Sequence, residues 1–183
     1  LNHIMDPSAR PDGDYVPNQM SLITEAIESG KIRAMLLFGT NMISSFSDAN
    51  RIRKGFEKMD LVVHHDLFMN DTAREFADVI LPATAWLEDV GCKATATHLY
   101  LMDKILEPAG EARSMSTIIK ALAQRLEVNG FYPWDGESGH IDAVLDHPAT
   151  GHATIETLRK KGGTIALDVS HVAHPDHQYS TPS

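Results

Sequence analysis

The chain has 183 residues, a formal net charge of -9 and 43% apolar residues, and these values exclude several classes of protein. The apolar fraction is too high for a chain that is mostly disordered, and the acidic balance disfavours nucleic-acid binding. The longest dense apolar run, Ala34–Phe38, has five residues, whereas a membrane-spanning helix needs about 20. Because Cys92 is the only cysteine, the chain contains neither an internal disulfide nor an all-cysteine metal site.

The first part of the chain is predicted to alternate helices and strands. Residues 1–19 are rich in proline and predict an extended lead-in, and a helix follows over residues 20–29. The apolar run at residues 34–38 predicts a strand buried on both faces of a parallel sheet. A second helix is predicted over residues 48–58, with Ser47 or Asp48 as its N-cap.

Two further strands are predicted at residues 61–65 and 77–81, with a short helix near residue 70 between them. Successive side chains of a strand alternate, so one of His64 and His65 is expected to point inward and the other outward. Strands that alternate with helices predict an α/β fold, a Rossmann-like parallel sheet flanked by helices. The carboxyl ends of its strands share one edge, and ligands bind at that edge in such sheets.

The pattern changes after residue 90. An extended segment is predicted over residues 97–102, and Ser114 or Ser116 is expected to cap a helix that runs to Leu126 with Leu126 facing inward. The rest of the chain predicts, in order, a loop at 129–139, short helices at 141–146 and 154–161, and a strand at 164–169. The predicted domains are the lead-in at 1–19, an α/β cofactor-binding domain at 20–128, and a smaller, irregular, partly helical lobe at 129–183.

Two segments at the predicted sheet edge contain residues that could bind a ligand. Gly39, Thr40 and Asn41 follow a strand and precede a helix, and glycine there lets the backbone approach a ligand. The segment matches neither the dinucleotide-binding glycine pattern nor the P-loop, so a plain turn remains an alternative. Asp66 ends the second strand, where a carboxylate can bind a ribose diol or accept two hydrogen bonds from guanine. Taken alone, Asp66 is better explained as a turn or helix cap.

The other candidates are weaker. His171, His174 and His177 have metal-ligand spacing, but Pro175 interrupts it and packing is the favoured explanation. Cys92 has no base that the sequence places beside it, and nothing makes Glu88 and Asp89 a catalytic pair. The residues by themselves therefore predict a ligand-binding α/β domain without a complete catalytic set and without metal ligands.

Residues 32–126 resemble the third domain of the molybdopterin oxidoreductases, the dimethyl sulfoxide reductase superfamily. The matching motifs are a strand with a Gly-x-Asn loop, a strand ending in aspartate, a Thr-Ala helix start, the ADVILPA segment, and EPAGEAR before a helix. Family members bind molybdenum or tungsten through two pyranopterin guanine dinucleotides. The resemblance implies that this domain holds the guanosine end of one molybdopterin guanine dinucleotide.

Six residues match family positions that contact the cofactor or lie near it. They are Gly39, Asn41, His65, Asp66, Asn70 and Asp89. The resemblance places Gly39 and Asn41 in the loop near the nucleotide, and His65 and Asp66 at the pair that contacts guanine and ribose. Asn70 stands where the family often has threonine, and Asp89, with Glu88, matches a charged position used by some relatives. Other family contacts are not carried over, because Thr95, Leu99 and Met115 depart from the pattern.

The resemblance also implies that the chain is a segment of a longer oxidoreductase. The family's iron–sulfur cysteine motif and its metal-ligating residue lie outside the matching region, so an iron–sulfur cluster would belong to the parent chain. The start at Leu1 and the end at Ser183 favour the same interpretation. The expected partners are the remaining domains of the parent, electron-transfer subunits and, through exposed apolar faces, a second copy of the segment. The alternatives are a structural or electron-wiring subunit without pterin, and a stand-alone nucleotide-binding module.

Overall fold

The computed structural model describes residues 19–128 and 130–168, and these residues fall into two compact units divided between Ile80 and Leu81. The lead-in at residues 1–18, the end of the last predicted strand, and the histidines at positions 171, 174 and 177 lie outside the described residues. Compactness does not test the domain boundaries predicted at residues 19 and 128, which stay predictions.

The first unit alternates helices and strands, which confirms the predicted α/β fold class of a parallel sheet flanked by helices. In chain order its elements are α1 (Met20–Glu28), β1 (Ala34–Phe38), α2 (Met42–Ser45), α3 (Ala49–Phe56), β2 (Leu61–Asp66), α4 (Asp71–Phe76) and β3 (Val79–Pro82). Strands β1 and β2 pair in parallel, from Ala34 opposite Leu61 to Phe38 opposite His65. The strand order is β1-β2-β3, so β2 lies in the middle of the sheet.

The core of this unit lies on one face of its sheet. Leu37 and Val62 pack there against Ile52 and Phe56, and each of the four helices contributes a side chain to the cluster. Gly55 allows α3 to approach α1 closely, because a Cβ built at Gly55 would lie 3.1 Å from Ile27 Cγ2. The helices thus cover the side chains that point toward this face and no others.

The opposite face of the sheet is more open than the sequence predicted. Leu36 and Leu61 remain 42% and 38% exposed, so the prediction that the first strand is buried on both faces is wrong for this unit. The physical reason is that the helices α1 to α4 all contribute to the cluster around Leu37 and Val62. Self-association through such exposed apolar side chains stays a prediction.

Two side-chain caps begin the helices that flank β2. Asp48 adopts the left-handed conformation, with φ of 61°, and its side chain accepts a hydrogen bond from Arg51 N at 3.1 Å. Asn70 caps α4 by accepting from Ala73 N at 3.0 Å. Of the two residues predicted as the N-cap of α3, Ser47 and Asp48, the structure shows Asp48. The four-residue helix α2 was not predicted from the sequence.

The second unit contains an antiparallel sheet with helices. Its elements are β4 (Gly91–Ala94), β5 (His98–Met102), α5 (Met115–Arg125), α6 (Gly136–Leu145), α7 (Ile155–Lys160) and β6 (Thr164–Ala166), with a 3₁₀ turn at Pro148–Thr150. The strand order is β4-β5-β6 with both pairings antiparallel. Leu99 and Leu158 form the centre of its core with Leu145 and Ala153. Among the described residues of the chain, no helix has the length and apolarity needed to cross a membrane.

Three details of the second unit differ from the sequence predictions. Leu126 is 71% exposed, because α5 ends at Arg125 and Leu126 is its C-cap rather than part of the inward face. Helix α6 begins at Gly136, inside the segment predicted as a loop. Strand β4 was not predicted, because Gly91–Ala94 contains few residues that favour strands and depends on its pairing with β5.

Candidate functional site

Two loops meet at the carboxyl ends of β1 and β2 in the first unit. The backbone N–H of Gly39 donates a hydrogen bond to the carbonyl oxygen of His65 at 2.9 Å, which joins the loop after β1 to the end of β2. Gly39 has a φ of +56°, a left-handed conformation that glycine adopts without a steric penalty. The structure thus brings Gly39, Asn41 and Asp66 to one sheet edge, as the strand pattern predicted, and it places Asn70, which the resemblance added, in contact with Asp66.

Asp66 organises the turn that follows β2. Its Oδ1 accepts hydrogen bonds from Leu67 N at 2.7 Å and Phe68 N at 3.3 Å, and its Oδ2 accepts from Asn70 Nδ2 at 2.8 Å. A carboxylate offers about four acceptor positions, so about one position on this half-buried group is left for a further donor. Asp66 therefore caps its own turn and keeps limited capacity for a ligand.

Asn70 links the two loops. Its Oδ1 caps α4, while its Nδ2 lies 2.8 Å from Asp66 Oδ2 and 3.4 Å from the carbonyl oxygen of Thr40. Both halves of the amide are thus used within the chain. Asn70 holds Asp66 in place and connects it to the loop after β1.

The side chain of Asn41 is likewise used within the unit. Its Oδ1 accepts from Thr72 Oγ1 at 2.8 Å, and its Nδ2 donates to Ser44 Oγ at 3.1 Å. Thr72 is fully buried and also accepts from Ile43 N at 3.1 Å. Asn41 therefore shapes the loop, and its side-chain amide is already occupied by these two partners.

His64 and His65 are both buried, with 0% and 5% exposure, so the prediction that one of them points outward is wrong. His64 lies on the face of the sheet that the helices cover, beside Leu37, its pairing partner on β1. His65 points to the other face, where its ring meets the ring of Phe38 at a centroid distance of 5.5 Å. The two side chains therefore alternate between the faces of the sheet as predicted, but the second histidine is also buried.

The loop between Asp66 and Asn70 presents apolar surface. Leu67 and Met69 are each 51% exposed and Phe68 is 77% exposed. An exposed aromatic side chain beside a carboxylate offers stacking and hydrogen bonding at adjacent positions. This surface is the apolar part of the candidate site.

Asp89 belongs to the second unit, where it organises its own loop. Its Oδ1 accepts from Val90 N at 2.8 Å and its Oδ2 accepts from Thr84 Oγ1 at 3.1 Å. Burial raises the pKa of this carboxyl group above its usual value, against the opposing effect of the bond from Val90 N. Glu88 similarly joins two segments, because it accepts from Ala85 N and Ala109 N.

Replacing Asp89 by asparagine is expected to increase the free energy of unfolding at pH 7. The pKa of Asp89 is raised in the folded protein, so the folded state keeps this proton to a higher pH than the unfolded state does. The folded state therefore loses stability as the pH rises from the unfolded pKa of the group through its folded pKa. Denaturant unfolding between pH 4 and 7 measures this. Asp103→Asn is the control of opposite sign, because the bond from Arg159 lowers the pKa of Asp103. A loss of stability at pH 7 in Asp89→Asn would contradict the prediction.

Metal ligands and a reactive thiol are two other candidates in the described part of the chain. Among its residues, no group of three histidine, cysteine or acidic side chains is arranged to hold a metal ion. Cys92 is half-buried on β4, and burial raises the pKa of its thiol, which opposes formation of the nucleophilic thiolate.

Sequence reasoning missed two residues of this site, His64 as a hydrogen-bond donor and Thr72. The bond from His64 Nε2 reaches Thr40 O, 24 positions earlier in the chain, and the bonds of Thr72 reach residues 29 and 31 positions earlier. No local pattern reports such partners. The one available signal was the polarity of His64 directly after the apolar residues Leu61–Val63 of the same strand.

The first unit is a parallel α/β sheet with polar side chains at the carboxyl ends of its strands, and comparison with known proteins assigns the family of the chain. The model of the molybdopterin oxidoreductase family matches residues 6–125. The probable oxidoreductase YyaE of Bacillus subtilis is 30% identical over 181 residues, which cover 94% of this chain and 27% of YyaE. The chain belongs to the molybdopterin oxidoreductase family, within the dimethyl sulfoxide reductase superfamily.

A further relative and a solved structure are also similar to the chain, the structure in fold alone. The F420-dependent formate dehydrogenase subunit alpha of Methanocaldococcus jannaschii is 39% identical over 116 residues, covering 62% of this chain and 17% of the relative. The acetylene hydratase of Pelobacter acetylenicus matches in structure with a TM-score of 0.67 and 22% identity, over 81% of this chain and 21% of that one. The chain spans about a quarter or less of the length of these relatives.

Proposed function

We propose that the first unit holds the guanosine end of a molybdopterin guanine dinucleotide within a longer oxidoreductase. Asp66 carries this proposal, because it lies at the carboxyl edge of a parallel sheet with about one acceptor position left. The small share of each relative that the chain covers, 27% of YyaE and 17% of the formate dehydrogenase subunit, supports a segment over a stand-alone module.

The donor groups of guanosine fit this edge. Guanine presents an N1–H and an exocyclic amine side by side, and the ribose presents hydroxyl groups. The free position of Asp66 accepts one such donor directly. A second position opens if the Asn70 amide moves from Asp66 toward the carbonyl oxygen of Thr40, which lies 3.4 Å from Nδ2. In this exchange a ligand donor takes over the charge-assisted bond to Asp66, while the Asn70 amide keeps an acceptor in the carbonyl oxygen of Thr40.

The role of the chain in this proposal is positioning. The cofactor, with molybdenum or tungsten, supplies the redox chemistry of the parent when bound. Asp66 and Asn70 orient the nucleotide, the Gly39–Asn41 loop limits its space, and the exposed ring of Phe68 offers stacking area. Any iron–sulfur cluster and electron-transfer subunit belong to the parent in this proposal. No substrate is part of it, since relatives are named for reactions as different as formate oxidation and nitrate reduction.

Replacing Asp66 by asparagine is expected to weaken binding of guanosine diphosphate by about tenfold to a hundredfold, because hydrogen bonds to a charged acceptor contribute about 1.5–3 kcal/mol. Calorimetric titration of the 183-residue chain measures this. Adenosine diphosphate serves as the reference ligand, since adenine lacks the paired donors of guanine.

The matched control is Asp60→Asn. Asp60 precedes β2 at the opposite end of the same strand, where it pairs with Arg33, and the substitution removes the same charge. It is expected to leave the affinity for guanosine diphosphate unchanged within about twofold. Equal binding of both nucleotides, or equal affinity of the Asp66→Asn and unchanged chains, would overturn the site assignment.

A second candidate is a structural or electron-wiring subunit of the same superfamily without pterin. The internal use of the Asn41 amide by Thr72 and Ser44 favours it, because that side chain is then satisfied without a ligand. The departures at Thr95, Leu99 and Met115 point the same way. This candidate predicts no preference for guanosine diphosphate over adenosine diphosphate.

A further inference from the structure

His64 on β2 is a polar group in an apolar core. It is fully buried, and it lies on the same face of the sheet as Val62 and as Leu37, its pairing partner on β1. Its Nε2 lies 2.9 Å from the carbonyl oxygen of Thr40. A carbonyl oxygen only accepts, so this contact assigns the hydrogen to Nε2, and in that tautomer Nδ1 is the acceptor. The amide nitrogen of Asn70 also lies 3.4 Å from Nε2, a contact that is not a hydrogen bond when Nε2 carries the hydrogen. Nδ1 is buried and has no hydrogen-bond partner in the described part of the chain.

This arrangement has a cost that an apolar side chain would avoid. A buried acceptor without a donor is unfavourable by comparison with an apolar group of similar shape. Val62 fills space on the same face without that cost. The short contact that uses the polarity of His64 is the one to Thr40 O, in the loop after β1.

The bond completes the attachment of three consecutive loop residues. Gly39 is held through its N–H by His65 O, and Asn41 is held through its side chain by Thr72. Thr40, between them, is held through its carbonyl oxygen by His64. The same oxygen lies 3.4 Å from the Asn70 amide that contacts Asp66.

We propose that His64 is a positioning residue of the guanosine-end site, an inference that rests on the proposed function. By fixing Thr40 O, it holds the Gly39–Asn41 loop at a set distance from Asp66. It also keeps in place the oxygen to which the Asn70 amide moves when a ligand donor takes its position on Asp66. His64 acts through Thr40 and Asn70 and does not touch the nucleotide.

Two substitutions at this position separate the hydrogen bond from packing. In His64→Gln the side-chain amide nitrogen reaches the place of Nε2 and keeps a donor, whereas in His64→Leu the donor is lost and the space is filled. Guanosine diphosphate is expected to bind His64→Leu about fivefold to tenfold more weakly, and His64→Gln within about twofold of the unchanged chain. If His64→Leu fails to fold, His64→Asn replaces it, because its shorter side chain cannot reach Thr40 O.

Val62→Ala is the control for a general loss of core packing. Val62 lies two positions earlier on the same face and is 2% exposed. Its truncation is expected to lower the melting temperature while the affinity for guanosine diphosphate stays within about twofold. Equal affinity of His64→Leu and His64→Gln, or an equal loss of affinity in Val62→Ala, would overturn the positioning role.

A long-range ¹H–¹⁵N correlation spectrum of the imidazole groups tests the geometry without any ligand. It is expected to show His64 with a protonated Nε2 and an unprotonated Nδ1 in the unchanged chain. A protonated Nδ1 would overturn this inference and leave the guanosine proposal standing. Absence of guanosine diphosphate binding together with the expected tautomer would instead overturn the proposed function and keep the contact between His64 and Thr40.

Discussion

Replacing Thr72 by valine is expected to lower the free energy of unfolding by about 2–4 kcal/mol. Thr72 is fully buried, donates to Asn41 Oδ1 and accepts from Ile43 N. Valine has nearly the same volume but no hydroxyl. It therefore leaves the backbone N–H of Ile43 without its acceptor and Asn41 Oδ1 without its donor. Urea unfolding followed by circular dichroism measures the change.

Thr24→Val is the matched control for this prediction. Thr24 is also buried, but its hydroxyl donates only to Met20 O, one turn earlier in the same helix α1. That oxygen is part of the backbone hydrogen bonding of the helix, so it does not depend on the hydroxyl. Its replacement is expected to change the free energy of unfolding by less than about 0.5 kcal/mol. Similar losses in the two variants would show that the Asn41–Thr72 contact contributes nothing particular to the loop.

Replacing Leu158 by alanine is expected to lower the free energy of unfolding of the second unit by about 2–5 kcal/mol, through lost burial and a residual cavity. Leu158 is 0% exposed and packs with Leu99 and Leu145. The comparison is Leu126→Ala, since Leu126 is 71% exposed and is expected to contribute less than about 0.5 kcal/mol. A larger effect at Leu126 than at Leu158 would contradict the placement of the core.

The elements of the first unit were largely predictable because their signals are local. The apolar run at Ala34–Phe38 has the length of a buried strand, and Gly30 ends the preceding helix with a φ of +74°. The short parallel strands and the helix cap at Asn70 follow the same local rules. These rules require no knowledge of distant contacts.

The exposure of individual side chains was less predictable because it depends on distant packing. Leu36 is exposed since the helices contribute to the core on the other face of the sheet. His65 is buried on the face away from the helix-covered core, and its ring contacts that of Phe38 on the neighbouring strand. Strand β4 forms through pairing with β5, and Gly91 has no intrinsic preference for a strand.

The candidate site likewise has features that the sequence predicts and features that depend on distant contacts. The position of Asp66 at a sheet edge follows from the strand pattern, and the resemblance to the molybdopterin oxidoreductases named Gly39, Asn41 and Asn70 as its neighbours. That Asn41 and Asn70 spend their side-chain amides on Thr72 and Asp66 could not be read from the sequence. The bond from Asn70, with those from Leu67 N and Phe68 N, leaves Asp66 about one free acceptor position.

The metal and nucleotide content of the full-length protein tests whether this segment holds the guanosine end of the cofactor in a longer oxidoreductase. Molybdenum, tungsten and acid-released guanosine monophosphate are measured with and without Asp66→Asn. We expect metal and guanine nucleotide in the unchanged protein and a clear loss of both in Asp66→Asn, with Asp60→Asn unaffected. A protein free of metal and guanine nucleotide, or one that keeps both after Asp66→Asn, would rule out the proposed site.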